Sequence, residues 1–129
     1  MYYEDLSAFE YTIRDAAPNL LNVGWLDAAH PYSQGSVPEE FLDRLFELCR
    51  NPVNRTRGWQ ECQFCEKPSF GVKVTKDGTE LVLGSAEIRV AGENGLVYAS
   101  PNLIYHYISS HRYRPPDVFI EAVLKSRLS

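Results

Sequence analysis

One Cys-x-x-Cys pair, Cys62-Gln63-Phe64-Cys65, constrains this chain more than any other feature. Such a turn sets two thiolates on one side of a tight loop, where a tetrahedral ion takes both. The other sulfur and imidazole groups are few: Cys49, His30, His106, His111 and the thioether of Met1. A zinc site would therefore draw its remaining ligands from that short set. Two thiolates favour zinc over harder ions.

The second ligand pair expected is His106-x₄-His111. Roughly forty residues separate Cys65 from His106, far more than in a zinc finger. An ion shared by both pairs would pin the cysteine loop onto a distant helix. Residues five apart on a regular helix point about 140° from each other. Both imidazoles are thus expected to meet one ion only if the helix unwinds before His111, which Ser109-Ser110 and Pro115-Pro116 would allow. An alternative ligand set uses Cys49 with one histidine. The ordinary alternatives are a buried core thiol for Cys49 and a hydrogen-bonded core imidazole for His111. A closed set of four protein ligands leaves no position for a catalytic water, so a complete site is structural.

The bulk properties fit one domain spanning 1–129, with the zinc-binding loop at 51–69. At 44% apolar residues and 12% aromatic, the chain builds a real core. No apolar run approaches the length of a membrane span. The start, Met1-Tyr2-Tyr3-Glu4-Asp5, lacks the pattern of a secretory signal. Three cysteines without an export signal point to a reducing cytoplasm and to metal or free thiols.

The net charge of −4 is unevenly spread. Residues 1–50 carry nine acids against three bases, and residues 51–129 carry eight against ten. An acidic front half argues against nucleic acid as partner. It suits a basic protein partner, with Glu39, Glu40, Asp43 and Glu47 of the first helix as docking face. The plainer reading is that these acids solubilise a helix and complement its dipole.

The pattern along the chain is α+β: an antiparallel sheet of three to five strands, about three packed helices and a metal-braced loop. Phe9 to Ile13 and Leu20 to Leu26 read as short strands. Ser36-Val37-Pro38-Glu39 is a capping box, with Ser36 as N-cap. It opens a helix with Phe41, Leu42, Leu45, Phe46 and Cys49 on one face. Asn51-Pro52 ends it. The irregular segment that follows is long enough to need an internal brace. Phe70, Val72 and Val74 alternate, Asp77-Gly78 is a hairpin turn, and strands at 81–83, 86–90 and 96–98 complete a meander. Ser100-Pro101 is expected to cap a second helix. A third starts near Asp117.

Other chemistry is thin. There is no Gly-rich phosphate loop. Glu87 with His106 or His111 offers an acid–base pair that the spacing does not demand. Arg50, Arg55, Arg57, Arg112 and Arg114 flank the cysteine turn from two regions, as an anion patch or as partners of local acids.

Three strings carry a resemblance: Leu83-Gly84-Ser85-Ala86-Glu87-Ile88-Arg89-Val90, Tyr98-Ala99-Ser100-Pro101-Asn102-Leu103-Ile104-Tyr105-His106-Tyr107-Ile108, and His111-Arg112-Tyr113-Arg114-Pro115-Pro116. With Asn22 to Asp27 and Thr56 to Cys65, they resemble a small bacterial family of uncharacterised proteins over nearly the whole chain. The family has no established activity, so the resemblance implies no catalytic residues. Small bacterial proteins of this size are often immunity proteins against toxins, an analogy of size and context.

The functional expectation is a non-enzymatic cytosolic protein-binding domain stabilised by one structural zinc, with immunity against a toxin as its most specific form. The alternatives are a small metal-dependent hydrolase or nuclease with an open coordination position, or a nucleic-acid-binding zinc module.

Overall fold

The computed structural model describes residues 3–6, 20–51, 54–55, 62–65 and 72–125. The strand expected at Phe9 to Ile13, and Phe70, Arg57 and Trp59, lie outside the described residues. So does most of the 51–69 loop.

Strand β1 (Leu20–Asn22) leads through a loop to helix α1 (Glu39–Arg50) and the two-residue strand β2 (Asn54–Arg55). Strands β3 (Val72–Lys76), β4 (Thr79–Leu83), β5 (Ala86–Ala91) and β6 (Val97–Pro101) follow. Helices α2 (Ile104–His111) and α3 (Asp117–Lys125) close the described chain. The arrangement is α+β, with three helices among the described residues.

The four strands 72–101 do not form one meander. Asp77 and Gly78 both take positive φ, which closes β3 and β4 into the two-residue hairpin that an Asp-Gly pair favours. That hairpin then leaves the main sheet, whose order is β1-β6-β5-β2. The break sits at Gly84, whose N–H donates to the Asn102 side-chain oxygen at 2.8 Å instead of to a neighbouring strand. Asn102 is buried, and its own N–H donates to the Ala86 carbonyl at 2.9 Å. One amide side chain thus fixes the corner between the two sheets. Pairings β5–β6 and β2–β5 are antiparallel, whereas β1 runs parallel to β6.

The helices start later than their caps suggest. Pro38, not Ser36, is the N-cap of α1, and no side chain caps it. Glu39 and Glu40 in the first turn complement the exposed N–H groups electrostatically. Ser100 and Pro101 stay in β6, because the sheet ladder there pairs Ser100 with Ile88 and Pro101 with Glu87. Helix α2 begins only after the Asn102 turn. Its end is sharp. Arg112 adopts the left-handed conformation, and the N–H groups of Arg112 and Tyr113 both close on the Tyr107 carbonyl. This reversal buries Tyr113 and runs residues 112–114 back along 33–35, through Gly35 N–H to the Arg112 carbonyl and Arg114 N–H to the Ser33 carbonyl.

The core lies between the sheet and all three helices. Phe41 of α1 and Tyr98 of β6 both meet Phe119 of α3 edge-on, at 6.2 and 5.9 Å between ring centres. Gly24 holds a φ of +82°, and a Cβ there would lie 2.7 Å from Ile104 Cδ1 of α2. The 23–25 strand extension can approach α2 only because that position carries no side chain. Trp25 and Leu20 form a second, smaller cluster on the far side of β6.

Two substitutions test this packing. Phe119→Ala is expected to destabilise the fold by about 3–5 kcal/mol in denaturant unfolding, the range for a fully buried aromatic. Gly24→Ala is expected to lose about 1–3 kcal/mol through strain at positive φ and contact with Ile104. A Gly24→Ala chain as stable as the wild type would contradict the described approach of residue 24 to α2.

Candidate metal centre

Helix α2 supplies both imidazoles, and the 62–65 turn supplies both thiols. Cys62, Cys65, His106 and His111 converge so that one ligand atom from each lies within 4.8 Å of all the others. Cys62 Sγ is 3.3 Å from His111 Nε2, and Cys65 Sγ is 3.2 Å from His106 Nε2 and 3.5 Å from His111 Nε2. The two Nε2 atoms are 3.2 Å apart. A tetrahedral zinc with ordinary bond lengths would separate sulfur from nitrogen by about 3.6 Å and nitrogen from nitrogen by about 3.3 Å. These four edges match within a few tenths of an ångström.

Hydrogen bonding alone does not account for this cluster. His111 Nε2 faces two sulfurs and a second ring nitrogen, yet a neutral imidazole has one proton to give at most, and that on one of its two nitrogens. A cation at the centre would meet four lone pairs at once. A divalent ion bound by two thiolates and two neutral imidazoles is also neutral overall, so burying the filled site strands no charge. The residues present fit the ion. The cluster can hold a metal such as zinc.

The unwinding expected before His111 does not occur. Helix α2 continues through His111, and the chain turns only at Arg112. The imidazoles converge nonetheless, because each ring carries its Nε2 well away from the helix axis and the two can swing toward each other. Their ring planes stand 84° apart with centres at 4.9 Å.

The thiol side is prepared by backbone. The N–H groups of Phe64 and Cys65 donate to Cys62 Sγ, an arrangement that favours a thiolate there. Burial works the other way and pushes the Cys62 thiol up to about 11. Burial also lowers both imidazoles, and His111 adds to the effect on His106. Gln63 accepts the Ala28 N–H at 2.9 Å and ties the turn to residues 27–30. Phe64 covers the site, with its ring 5.6 Å from that of His111 and 5.7 Å from that of Tyr107. Tyr32 packs on Phe64 at 5.0 Å and donates its hydroxyl to the His111 carbonyl at 2.9 Å. Sequence reasoning missed Tyr32, Phe64 and Gln63. The only hint was that two of them fill the interior of the Cys-x-x-Cys turn.

The remaining candidates lie elsewhere. Cys49 is a core thiol: it is buried, donates to the Asn102 carbonyl at 3.6 Å, and is pushed up to about 12 by burial. It is not part of the cluster. His30 is exposed and bonds Asp27 at 2.7 Å. Glu87 is buried on β5 beside Arg89 and joins neither histidine in the cluster. Arg50 pairs with Glu47 and Arg114 with Asp117. The side chain of Arg55 and all of Arg57 fall outside the described residues. Glu39, Glu40, Asp43 and Glu47 line α1, and Arg44, Lys76 and Arg50 engage Glu40, Asp43 and Glu47 respectively.

Residues 1–124 match a family defined only as a domain of unknown function, DUF7919. The chain belongs to that family. No curated protein and no solved structure matches it. DUF7919 membership thus accounts for the resemblance over nearly the whole chain and carries no activity with it. Among the described residues, no helix is long and apolar enough to cross a membrane.

Two measurements check the ligand set. Cys62→Ser, Cys65→Ser, His106→Ala and His111→Ala should each lose bound metal, while Cys49→Ser keeps it. Retention by a histidine variant together with loss in Cys49→Ser would overturn the assignment. Zinc affinity should also fall as the solution is acidified. The Cys62 thiol, raised to about 11, must release its proton to bind. Each proton displaced weakens apparent affinity by about tenfold per pH unit below the group's pKa. Protonation of the imidazoles, whose values are lowered, adds to the loss only in more acidic solution. A zinc affinity independent of pH would exclude thiolate ligation.

Proposed function

We propose that this chain is a non-catalytic, zinc-braced domain of the cytoplasm that binds another protein. One observation carries the brace: two thiols and two imidazoles converge, with one ligand atom of each within 4.8 Å of the others. Four protein ligands fill a zinc's coordination and leave no place for an activated water, so the ion would serve the fold. The ligands come from a turn and a helix about forty residues apart, which is where a brace contributes most.

The partner reading rests on charge. The α1 acids face solvent wholly or in part, and their internal ion pairs are exposed. Such pairs are worth at most about 1 kcal/mol each, so the bases of a partner can exchange with them. A toxin neutralised by this chain is the most specific form of such a partner, and that form rests on the analogy of size and context. A nucleic-acid module built on Arg50, Arg55 and Arg57 fits less well, because the chain is net acidic and Arg50 is engaged by Glu47.

The expected result of zinc removal by a chelator is a large fall in melting temperature, reversed by zinc and not by magnesium, since binding energy at a structural site is also folding energy. Glu40→Lys with Asp43→Lys should slow association with a protein captured from the host, chiefly at low salt, without unfolding the chain. An unchanged rate would remove α1 as the docking face. Metal-dependent turnover of ester, peptide or nucleotide substrates would replace the whole reading with an enzymatic one.

A further inference from the structure

Cys62 and Cys65 share one turn, and both sulfurs belong to a set of atoms that lie within 4.8 Å of one another. We propose that this pair is a site of reversible oxidation: a hydroperoxide joins the two sulfurs as a disulfide, expels the zinc and frees the 62–65 turn from its ionic tie to α2. The proposal concerns the regulation of the metal centre and rests on the zinc-braced reading. Its oxidant is hydrogen peroxide or an organic hydroperoxide, and its target is the zinc-loaded chain.

The two cysteines differ in access. Cys62 is only 1% exposed, whereas Cys65 is half-buried and follows exposed Gln63 and half-buried Phe64 around the turn. An oxidant arriving from solvent therefore meets Cys65 first. Zinc binds cysteine as the thiolate, which is also its nucleophilic form. An accessible thiolate with a second cysteine poised beside it is the arrangement that redox-sensing sites require.

The chemistry needs no reactant beyond the peroxide and solvent protons. Cys65 Sγ attacks one peroxide oxygen. An S–O bond forms, the O–O bond breaks, and the other oxygen leaves with the electron pair and takes a proton from solvent. Cys65 is then a sulfenic acid. Cys62 Sγ attacks Cys65 Sγ; the S–S bond forms, and the S–O electron pair leaves with hydroxide, which is protonated to water. Two thiolates give up two electrons, and one peroxide accepts them.

Loss of the ion follows from charge. Two thiolates balance one divalent ion in the filled centre, whereas a disulfide carries no charge. An ion left between His106 and His111 would keep its full charge in a partly buried place, with only neutral imidazoles around it. The third thiol of the chain does not compete for the pair. Cys49 is buried, donates to the Asn102 carbonyl at 3.6 Å and lies outside the cluster. The oxidised turn keeps the packing of the Phe64 ring against His111 and Tyr107, so a dithiol that reopens the disulfide returns both sulfurs to their place.

The test treats the whole zinc-loaded chain with hydrogen peroxide. Zinc release is read with a colorimetric chelator too weak to strip the untreated chain, and the state of each sulfur by mass spectrometry of its peptides. The expected result is one zinc released for each Cys62–Cys65 disulfide formed, with dimedone trapping the sulfenic acid on Cys65. Dithiothreitol with added zinc should restore the bound metal. Cys49→Ser should respond as the wild type does. Full retention of zinc, in peroxide that oxidises a free cysteine control, overturns the proposal and leaves the brace standing. Release accompanied only by sulfinic acid, or by disulfides between chains, overturns the proposal as well. A chain that takes up no zinc before peroxide is added overturns the brace, and the proposal with it.

Discussion

The convergence of two thiols and two imidazoles is the contact on which the rest of this structure depends. The four atoms that could bind an ion converge on one small, partly buried volume. Without a cation, a ring nitrogen of a neutral imidazole makes one hydrogen bond, yet His111 Nε2 faces two sulfurs and a second ring nitrogen. A cation would take a lone pair from all four atoms at once and would tie the turn at 62–65 to α2. Helix α2 in turn is anchored to the sheet through the Asn102 corner and to the 33–35 loop through the reversal at Arg112. A single ion held there would therefore link three otherwise separate parts of the chain.

This placement also shapes what the protein can do. A closed set of protein ligands supplies rigidity in place of Lewis-acid chemistry. Tyr32 donates to the His111 carbonyl and Tyr113 to Asp5, so the position of α2 and of the turn that ends it is carried into the loops around residues 5 and 32.

Much of this was legible in the sequence, for identifiable reasons. A Cys-x-x-Cys turn and two histidines leave few ways to complete a tetrahedron, so the four members of the cluster could be named from spacing and scarcity. The Asp77-Gly78 hairpin and the apolar faces of the three helices followed from local rules. What was not legible depended on partners distant in sequence. Ser36 and Ser100 carry good capping chemistry, yet Pro38 caps one helix and the pairing of β6 with β5 holds Ser100 and Pro101 in the strand. Tertiary pairing outweighed local propensity there. The meander split because Asn102 reaches Gly84, a contact across eighteen positions that no local pattern encodes. The objection to His106 and His111 treated side chains as short vectors from the axis. Imidazole rings are long enough to turn inward from both sides. Asp5, read only as part of an acidic segment, proved to be a carboxylate organised by two neutral donors.

X-ray absorption at the zinc edge, on chain loaded with one equivalent of zinc, tests the central claim most directly. It reports the identity and distance of the atoms bound to the ion, independently of stability or of any partner. A closed Cys62, Cys65, His106, His111 site predicts two sulfur scatterers at about 2.3 Å and two imidazole nitrogens at about 2.0–2.1 Å, with no oxygen in the shell. Three sulfurs, or a light-atom shell containing water oxygen, would contradict it.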